Sequence, residues 1–315
     1  MARAILICQP GFFAAATLRG WLEAGNEVAE IWTAPTRPLR EVQKTITRFA
    51  PGWSLYAVAK RHAIPHFVNP PLRHWLEAGA RIAALKADTL ITCMTMQIVP
   101  DPLIARFGGR AVNLHPALLP NFRGPSPFLG VLLDRRENNS AGVTLHVLTS
   151  GIDEGPIIAA RPIPFDGVGR SYQAWLVEHA QACRELARSE LQAYLAGDRQ
   201  AVPQLGGSYR RVREEARIGS HLTLGQARHA LDAAGGSRRI MVQAADRKRR
   251  LAVRGIDVVL GPPTGDPPVA SGRRLTLDLA DARVRLRLWG PVAQALDRLT
   301  LLRAIRRVER RAAQE

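Results

Sequence analysis

Short apolar runs alternate with helical repeats along the first half of the chain. Residues 2–8 form an apolar run that ends at Gln9-Pro-Gly11, which predicts a buried parallel strand followed by a loop. A helical pattern covers residues 12–24 and ends at Gly25, and residues 28–33 predict the next strand. Further strands are predicted at 66–68, 88–93 and 110–115, and further helices at 55–62, 77–85, 101–107 and 126–133, whereas 35–51 is an irregular basic stretch. This βαβ alternation is typical of a doubly wound α/β sheet.

The rest of the chain predicts two hairpins and two long helices. Residues 141–148 alternate, 151–155 turn, and 156–163 return, so Asp153 is predicted at the tip of a hairpin. Residues 171–196 carry one broad apolar face and predict a single long helix closed by Gly197. A second hairpin is predicted at 275–279 and 283–288, and a last helix at 292–313. Leucines and valines form the dry face of that hairpin, whereas arginines line its wet face.

The segment 197–207, with Pro203 and the Gly206-Gly207 pair, indicates a domain boundary. A chain of 315 residues also exceeds one typical domain of about 100–200 residues. We therefore predict an α/β domain at 1–205 and a smaller, basic, β-rich domain at 206–315.

Composition excludes several classes of protein. The hydrophobic content of 46% is that of a globular protein, and no run reaches the ~18 apolar residues of a membrane span. The N-terminus lacks a secretory pattern, so a cytoplasmic location and no membrane partner are expected. The cysteines Cys8, Cys93 and Cys183 are far apart and form no CxxC pair, which argues against disulfides and a zinc site.

Positive charge is concentrated in the last third of the chain. The formal net charge is +17, and residues 206–315 hold 23 Lys and Arg against 11 Asp and Glu. This excess fits a polyanionic partner such as nucleic acid, and equally an arginine-rich composition whose charges are only solvated. Arg37, Arg40, Lys44 and Arg48 would form one basic stripe on a helix over 39–49. Such a stripe could hold a phosphate or simply face water.

The candidate chemistry lies where the strand at 110–115 ends. Asn113 and His115 point the same way because side chains alternate along a strand, and Asp153 reaches them from a separate Gly-flanked loop. No cysteine lies in a matching loop for a Cys-His-Asn hydrolase, no GxSxG elbow is present, and the pair His115 and His146 has no convincing third metal ligand beside it. A classical dinucleotide site is also excluded, because the loop at Gly11 lacks GxGxxG. What remains is a site that polarises a carbonyl group and moves protons.

Motifs around these residues occur in the order seen in a known family. They are Asn113-Leu-His-Pro-Ala-Leu-Leu-Pro120, Asn121-Phe-Arg-Gly124, Gly142-Val-Thr-Leu-His146 and Gly151-Ile-Asp-Glu-Gly-Pro-Ile157. Together they resemble the formyltransferases that use 10-formyltetrahydrofolate, a family that includes methionyl-tRNA, glycinamide ribonucleotide and amino-sugar formyltransferases. The resemblance covers roughly residues 1–204.

This resemblance implies a Rossmann-like formyltransferase domain and a one-carbon transferase activity without a metal. It implies that Asn113, His115 and Asp153 are catalytic and that the folate lies between the loops at 94–99 and 148–154. The residues it implies for folate binding are Met96, Gln97, Ile98, Leu118 and Gly151.

The acceptor is a primary amine whose identity the sequence leaves open. The C-terminal part resembles that of methionyl-tRNA formyltransferases, but the basic loop after the second strand lacks its glycines and Ile218 is followed by Gly219-Ser220 instead of the usual Asp-Trp. Arg123-Gly-Pro-Ser-Pro127 is closer to the small-molecule members. A small-molecule acceptor, an amino sugar or amino-acid derivative, is therefore the leading hypothesis, with Arg37, Arg40 and Arg123 as substrate-binding residues. Initiator methionyl-tRNA, bound through the basic C-terminal domain, is the alternative. A non-catalytic RNA-binding module is a third hypothesis.

Overall fold

A computed structural model describes residues 1–35, 41–134, 140–164, 171–209, 211, 216–243 and 249–314. Its first sheet has the strand order β3-β2-β1-β4-β5-β6-β7. The strands are β1 (Arg3–Cys8), β2 (Glu27–Thr33), β3 (His66–Val68), β4 (Thr89–Cys93), β5 (Ala111–His115), β6 (Gly142–Val147) and β7 (Ile157–Pro162). Strands β1 to β5 run parallel to one another. Strand β6 pairs antiparallel with β5, and β7 pairs antiparallel with β6. The predicted α/β sheet is confirmed.

Helices cover both faces of this sheet, which is why its central strands are apolar throughout. The helices of this half are α1 (Phe12–Glu23), α2 (Glu41–Phe49), α3 (Leu55–Arg61), α4 (Ala78–Leu85), α5 (Asp101–Ile104), α6 (Pro127–Leu133), α7 (Tyr172–Arg188) and α8 (Glu190–Ala196). Short 3₁₀ turns lie at Pro51–Trp53, Leu72–His74 and Ala105–Phe107. The helix that the basic stripe would need over 39–49 is present as α2, and residues 39–40 lie outside the described residues.

The single long helix predicted at 171–196 is wrong in one respect, because the chain bends between α7 and α8. Ser189 lies at the bend with φ −115° and ψ −64°, and its hydroxyl donates to the carbonyl of Glu185 at 2.8 Å. Hydroxyl groups that bond back to the preceding turn bend helices. Gly197, in the left-handed conformation, closes α8 as expected.

The C-terminal part forms a second sheet, as predicted. Its strand order is β11-β12-β13-β10-β9-β8. The elements are β8 (Arg217–Ile218), α9 (Leu224–Ala234), β9 (Met241–Gln243), β10 (Arg250–Gly261), β11 (Val269–Ser271), β12 (Arg274–Asp278), β13 (Arg283–Leu288) and α10 (Pro291–Ala312), with a 3₁₀ turn at Gly235–Ser237. The apolar face predicted for the hairpin β12–β13 is buried at Leu275, Leu277, Val284 and Leu286.

The two sheets share one packed interior. Helix α7 contacts both α1 and α10, and one hydrophobic cluster includes Trp21 of α1, Trp175 of α7 and Ile305 of α10. Polar contacts also join the two parts, since Gln173 donates to both carboxylate oxygens of Asp297 at 3.0 Å. The domain boundary at 205/206 stays a prediction.

Candidate active site

Strand β5 presents Asn113 and His115 on one face, as its two-residue period requires. Both side chains are buried, with exposed fractions of 9% and 4%. The amide of Asn113 is fixed from the neighbouring strand, because the hydroxyl of Thr92 donates to its Oδ1 at 2.8 Å. Its Nδ2 group is thereby turned away from β4, toward the antiparallel strand β6 and the loop beyond it.

Asp153 reaches this face from the loop that joins β6 to β7. Its Oδ1 accepts from Asn113 Nδ2 at 3.3 Å, and its Oδ2 lies 3.4 Å from His115 Nδ1. The backbone N–H of Gly124 donates to Oδ2 at 2.9 Å. The three residues predicted to be catalytic therefore converge on one polar cluster.

His146 is a fourth member of this cluster, and the sequence reasoning considered it only as a metal ligand. It lies directly opposite Asn113 in the β5–β6 ladder, and its Nε2 is 3.0 Å from Asn113 Nδ2 and 3.6 Å from Asp153 Oδ1. Its Nδ1 donates to the carbonyl of Val147 at 2.9 Å, which leaves a lone pair on Nε2 for the amide of Asn113. The signal that could have found it is the inward alternation of β6, which places His146 on the same side of the sheet as Thr144.

The surroundings of the cluster lower the pKa values of both His115 and Asp153. Burial lowers the pKa of His115 below its ordinary value, and the attraction to Asp153 opposes this only in part. Burial alone would raise the pKa of Asp153, but it is outweighed by the attraction to His115, by the contact with His146 and by a hydrogen bond from the N–H of Gly124, which together hold that pKa at about 2. Asp153 is thus a carboxylate at neutral pH, beside an imidazole that gives up its proton readily.

His115 is also held by the loop that follows β5. Its Nε2 donates to the carbonyl of Phe122 at 3.0 Å. Phe122 itself is buried and has a φ of +57°, and Asp153 has a φ of +55°. Both loops therefore place a residue other than glycine in the left-handed region, which surrounding contacts must stabilise.

The loops predicted to hold a folate meet at their bases, where Val99 and Leu148 pack in the same apolar cluster. Met96 and Ile98 of the first loop and Ile152 of the second expose 63%, 41% and 42% of their surface.

The other predicted folate residues have structural partners in this arrangement. Gln97 turns inward, accepting from Asn69 Nδ2 at 2.9 Å and from the backbone of Leu72 at 3.3 Å. Leu118 packs against Gly142 at the start of β6, and Gly151 lies against the side chain of Glu154. These contacts shape the loops, whereas the exposed surface available to a ligand comes from Met96, Ile98 and Ile152.

The predicted substrate-binding arginines differ in position. Arg123 lies beside the Asp153 loop, where it donates to Glu154 at 3.3 Å and to the carbonyl of Gly206 at 2.6 Å. Its side chain is only 15% exposed, so these contacts occupy much of its guanidinium. Arg37 and Arg40 lie outside the described residues. Of the predicted basic stripe, Lys44 and Arg48 are exposed on α2.

Neither a metal centre nor a membrane span is found in the part of the chain that the structure describes. No group of three or more His, Cys, Asp or Glu side chains among those residues is arranged to hold a metal ion. Nor does any helix among them have the length and apolar character needed to cross a bilayer.

Comparison with known proteins assigns the family. Residues 5–169, just over half of the chain, match the model of the formyl transferase family, and the chain belongs to that family. The methionyl-tRNA formyltransferase of Pseudomonas putida (strain W619) is 31% identical over 215 residues, which is 65% of this chain and 65% of that protein. The match thus spans slightly less than two thirds of the length of this curated relative.

Solved structures share the fold over a larger part of the chain. A sugar N-formyltransferase from Shewanella matches with a TM-score of 0.57 at 15% identity, over 81% of this chain and 97% of that one. An N-formyltransferase from Helicobacter canadensis, solved with folinic acid and dTDP-3-aminofucose, matches with a TM-score of 0.56 at 13% identity, over 92% of this chain and 100% of that one. At these identities the likeness concerns the fold alone.

Proposed function

We propose that this protein transfers a formyl group from 10-formyltetrahydrofolate to a primary amine. One observation carries the proposal: in a chain of the formyl transferase family, Asn113, His115 and Asp153 meet in one buried cluster within hydrogen-bonding or ion-pairing distance. A buried amide, an imidazole and a carboxylate are the groups that acyl transfer to an amine requires.

The reaction would use each group in turn. The amine attacks the formyl carbon, and the carbonyl oxygen becomes an oxyanion that accepts hydrogen bonds from Asn113 Nδ2 and from the ring N–H of His115, which would exchange their contacts with Asp153 and Phe122 for it. Asp153, ionised at neutral pH, receives the amine proton directly or through a water molecule. The C–N bond to the folate then breaks, and that proton passes to the departing folate nitrogen.

The folate would lie against the loops at 94–99 and 148–154. Their exposed apolar side chains, Met96, Ile98 and Ile152, suit a flat ring system that must be removed from water. The solved relative from Helicobacter canadensis bears folinic acid, which supports a folate as the formyl donor here.

For the acceptor we propose the primary amine of a small molecule, such as an amino sugar. This rests on the departures from the tRNA-specific motifs, in particular Gly219-Ser220 after Ile218. It is supported by the solved relative that binds dTDP-3-aminofucose.

Initiator methionyl-tRNA is a second candidate, favoured by a cluster of basic residues on the surface. The C-terminal end of α10 lies against the turn between α2 and α3, because Glu309 accepts from Trp53 Nε1 at 2.9 Å. Helices α2 and α10 contact each other, and these two helices and α3 carry exposed cations that we together term the basic face. Its residues are Arg48, Lys60, Arg61, Arg306, Arg307, Arg310 and Arg311. The relatives with 30–31% identity are methionyl-tRNA formyltransferases.

One experiment tests the reaction and the acceptor together. Purified protein is supplied with 10-formyltetrahydrofolate and either a panel of amino sugars and amino-acid amides or initiator methionyl-tRNA, and product is measured by mass. We expect formylation of a small amine, reduced about 100-fold or more by Asn113→Ala and by His115→Ala, since each removes a donor to the oxyanion. The matched control is His62→Ala, at an exposed histidine that caps α3, which should keep full activity.

The results separate the candidates. Formylation of tRNA alone, with an affinity that falls steeply with salt and is lost in Arg307→Glu/Arg310→Glu, would replace the small-molecule acceptor by tRNA. Salt-dependent tRNA binding without transfer to any acceptor would favour a non-catalytic RNA-binding module. Full transfer activity in His115→Ala would refute the catalytic assignment.

A further inference from the structure

The segment that joins the two sheets contacts both loops that hold the candidate active site. We call residues 202–209 the strap. It begins as a β-bridge, in which Val202 and Ile157 exchange backbone hydrogen bonds of 2.8 Å, and it ends in a second bridge between Tyr209 and Arg123. A linker that only tethered two domains would be expected to run through solvent without such pairing.

The first half of the strap holds the Asp153 loop through one side chain. Gln204 Nε2 donates to the backbone carbonyls of Asp153 at 3.0 Å and of Gly155 at 2.6 Å. These bonds fix the peptide groups that follow Asp153 and Gly155, in a loop where Asp153 adopts a left-handed conformation. The carboxylate of Asp153 can point at the cluster only while this backbone conformation is kept.

The second half holds the loop that follows β5. Ser208 exchanges backbone bonds with this loop: its N–H donates to the carbonyl of Pro120 at 3.1 Å, and its carbonyl accepts from the N–H of Arg123 at 2.9 Å. Its hydroxyl accepts from the N–H of Phe122 at 3.1 Å. Phe122 is the residue whose carbonyl accepts from His115, so one serine lies a single residue away from the imidazole of the cluster.

Close packing adds to these hydrogen bonds. A Cβ atom at Gly207 would overlap the carbonyl of Pro120, and one at Gly124 would lie 2.6 Å from the ring of Tyr209. The strap and the loop are therefore in direct backbone contact on both sides of Ser208. Because the N–H of Gly124 also donates to Asp153, a shift of the strap would move His115 and Asp153 together.

We propose that Gln204 and Ser208 of the strap are positioning residues, which hold the backbone that aims Asp153 and His115 at the substrate. The inference rests on the proposed function, because Asp153 and His115 are catalytic only if that function is right. The effect of the strap on the Asp153 carboxyl can be tested without it. It assigns a role in the reaction to the segment between the two sheets, which lies beyond the residues matched by the family model.

The test measures the titration of the Asp153 carboxyl by NMR in full-length protein with carbon-13-labelled aspartate, assigned through Asp153→Asn. In wild type we expect this carboxyl to remain ionised down to a pH of about 2. In Ser208→Ala and in Gln204→Ala the loops lose their anchors, the N–H of Gly124 moves away, and the carboxyl should titrate about one pH unit higher. Ser208→Thr keeps the hydroxyl and should restore the wild-type value.

Leu205→Ser is the matched control, since Leu205 is in the strap but its side chain is 87% exposed. It should titrate as wild type does. In the formyl-transfer assay, Ser208→Ala and Gln204→Ala should lower kcat about tenfold or more, with KM for the formyl donor unchanged, because misplacement of catalytic groups affects the transition state rather than donor binding.

The outcomes are distinct for the two proposals. Wild-type titration and wild-type kcat in both Ser208→Ala and Gln204→Ala would overturn the inference, and if one variant does not fold, the other decides. If wild-type protein forms no product with any acceptor, the proposed function fails, and the titration alone then decides whether the strap holds the Asp153 carboxylate.

Discussion

At the scale of single residues, Asp153 is the group on which the cluster depends. It contacts Asn113, His115 and the N–H of Gly124, and its side chain is only 15% exposed. Because its pKa in the folded protein is about 2, below the ordinary value of 3.8, the folded state binds its proton less readily than the unfolded chain does. Its contribution to stability is therefore fully present above pH ~4 and is lost as the pH falls toward the folded pKa.

This sign leads to a prediction for Asp153→Asn. The variant should lower the free energy of unfolding at pH 7 by ~2 kcal/mol, since each pKa unit corresponds to about 1.4 kcal/mol. The difference between variant and wild type should shrink between pH 4 and the lowest pH at which both remain folded, as measured by urea unfolding at a series of pH values. A difference that is constant over this range would show that the carboxylate charge does not stabilise the fold.

At the scale of elements, the contact of α1 with α7 determines how the sheet is covered. Gly20 of α1 lies against the backbone carbonyl of Arg184 in α7, where a Cβ atom would overlap it. Beside this contact, Arg184 makes a bidentate ion pair with Glu23, with N···O distances of 2.7 and 2.8 Å. The close approach of the two helices is thus possible only without a side chain at position 20.

Gly20→Ala should therefore destabilise the protein, although alanine favours helices more than glycine does. Overpacking against a backbone atom cannot be relieved by a side-chain rotation, and we expect a loss of about 3 kcal/mol in the free energy of unfolding. Gly11→Ala is the control, because Gly11 has an extended φ of 173° and a methyl group there would meet no other atom within 4 Å. The measurement is thermal melting of the two variants. Equal melting midpoints for Gly20→Ala and Gly11→Ala would contradict the prediction.

At the scale of the whole molecule, the two sheets form one structure rather than two independent parts. Helix α7 contacts both α1 and α10, and the main hydrophobic cluster contains residues of both parts, from β1 to α10. The strap pairs with the backbone of β7 and of the loop that follows β5. The hydrophobic interior therefore continues across the boundary predicted at 205/206.

Calorimetry should accordingly show a single unfolding transition. Gln173→Ala, which removes the hydrogen bonds to Asp297 between α7 and α10, should lower the midpoint of that whole transition by a few degrees, as expected for a loss of about 1–2 kcal/mol. Gln200→Ala, at an exposed position, is the control. Two resolved transitions, only one of which moves in Gln173→Ala, would indicate independently folding domains.

The sequence alone determined the layout of the fold and three of the cluster's residues. Buried strands and helices follow from apolar periodicity, which is local, and Asn113 and His115 share a face because a strand has a period of two. The motifs from Asn113 to Ile157 carried the family resemblance, which the family match confirms.

Only the tertiary structure decided what depends on pairing between distant segments. His146 joins the cluster through the register of β6 on β5, Gln97 faces Asn69 rather than the cleft, and Ser189 bends a helix that looks continuous in sequence. The strap is the clearest case, since a Gly- and Pro-containing segment predicts a flexible linker, and its hydrogen bonds to residues 80 or more positions away appear only when the loops are folded. Local patterns specify elements, whereas strand register and loop closure are set by long-range contacts.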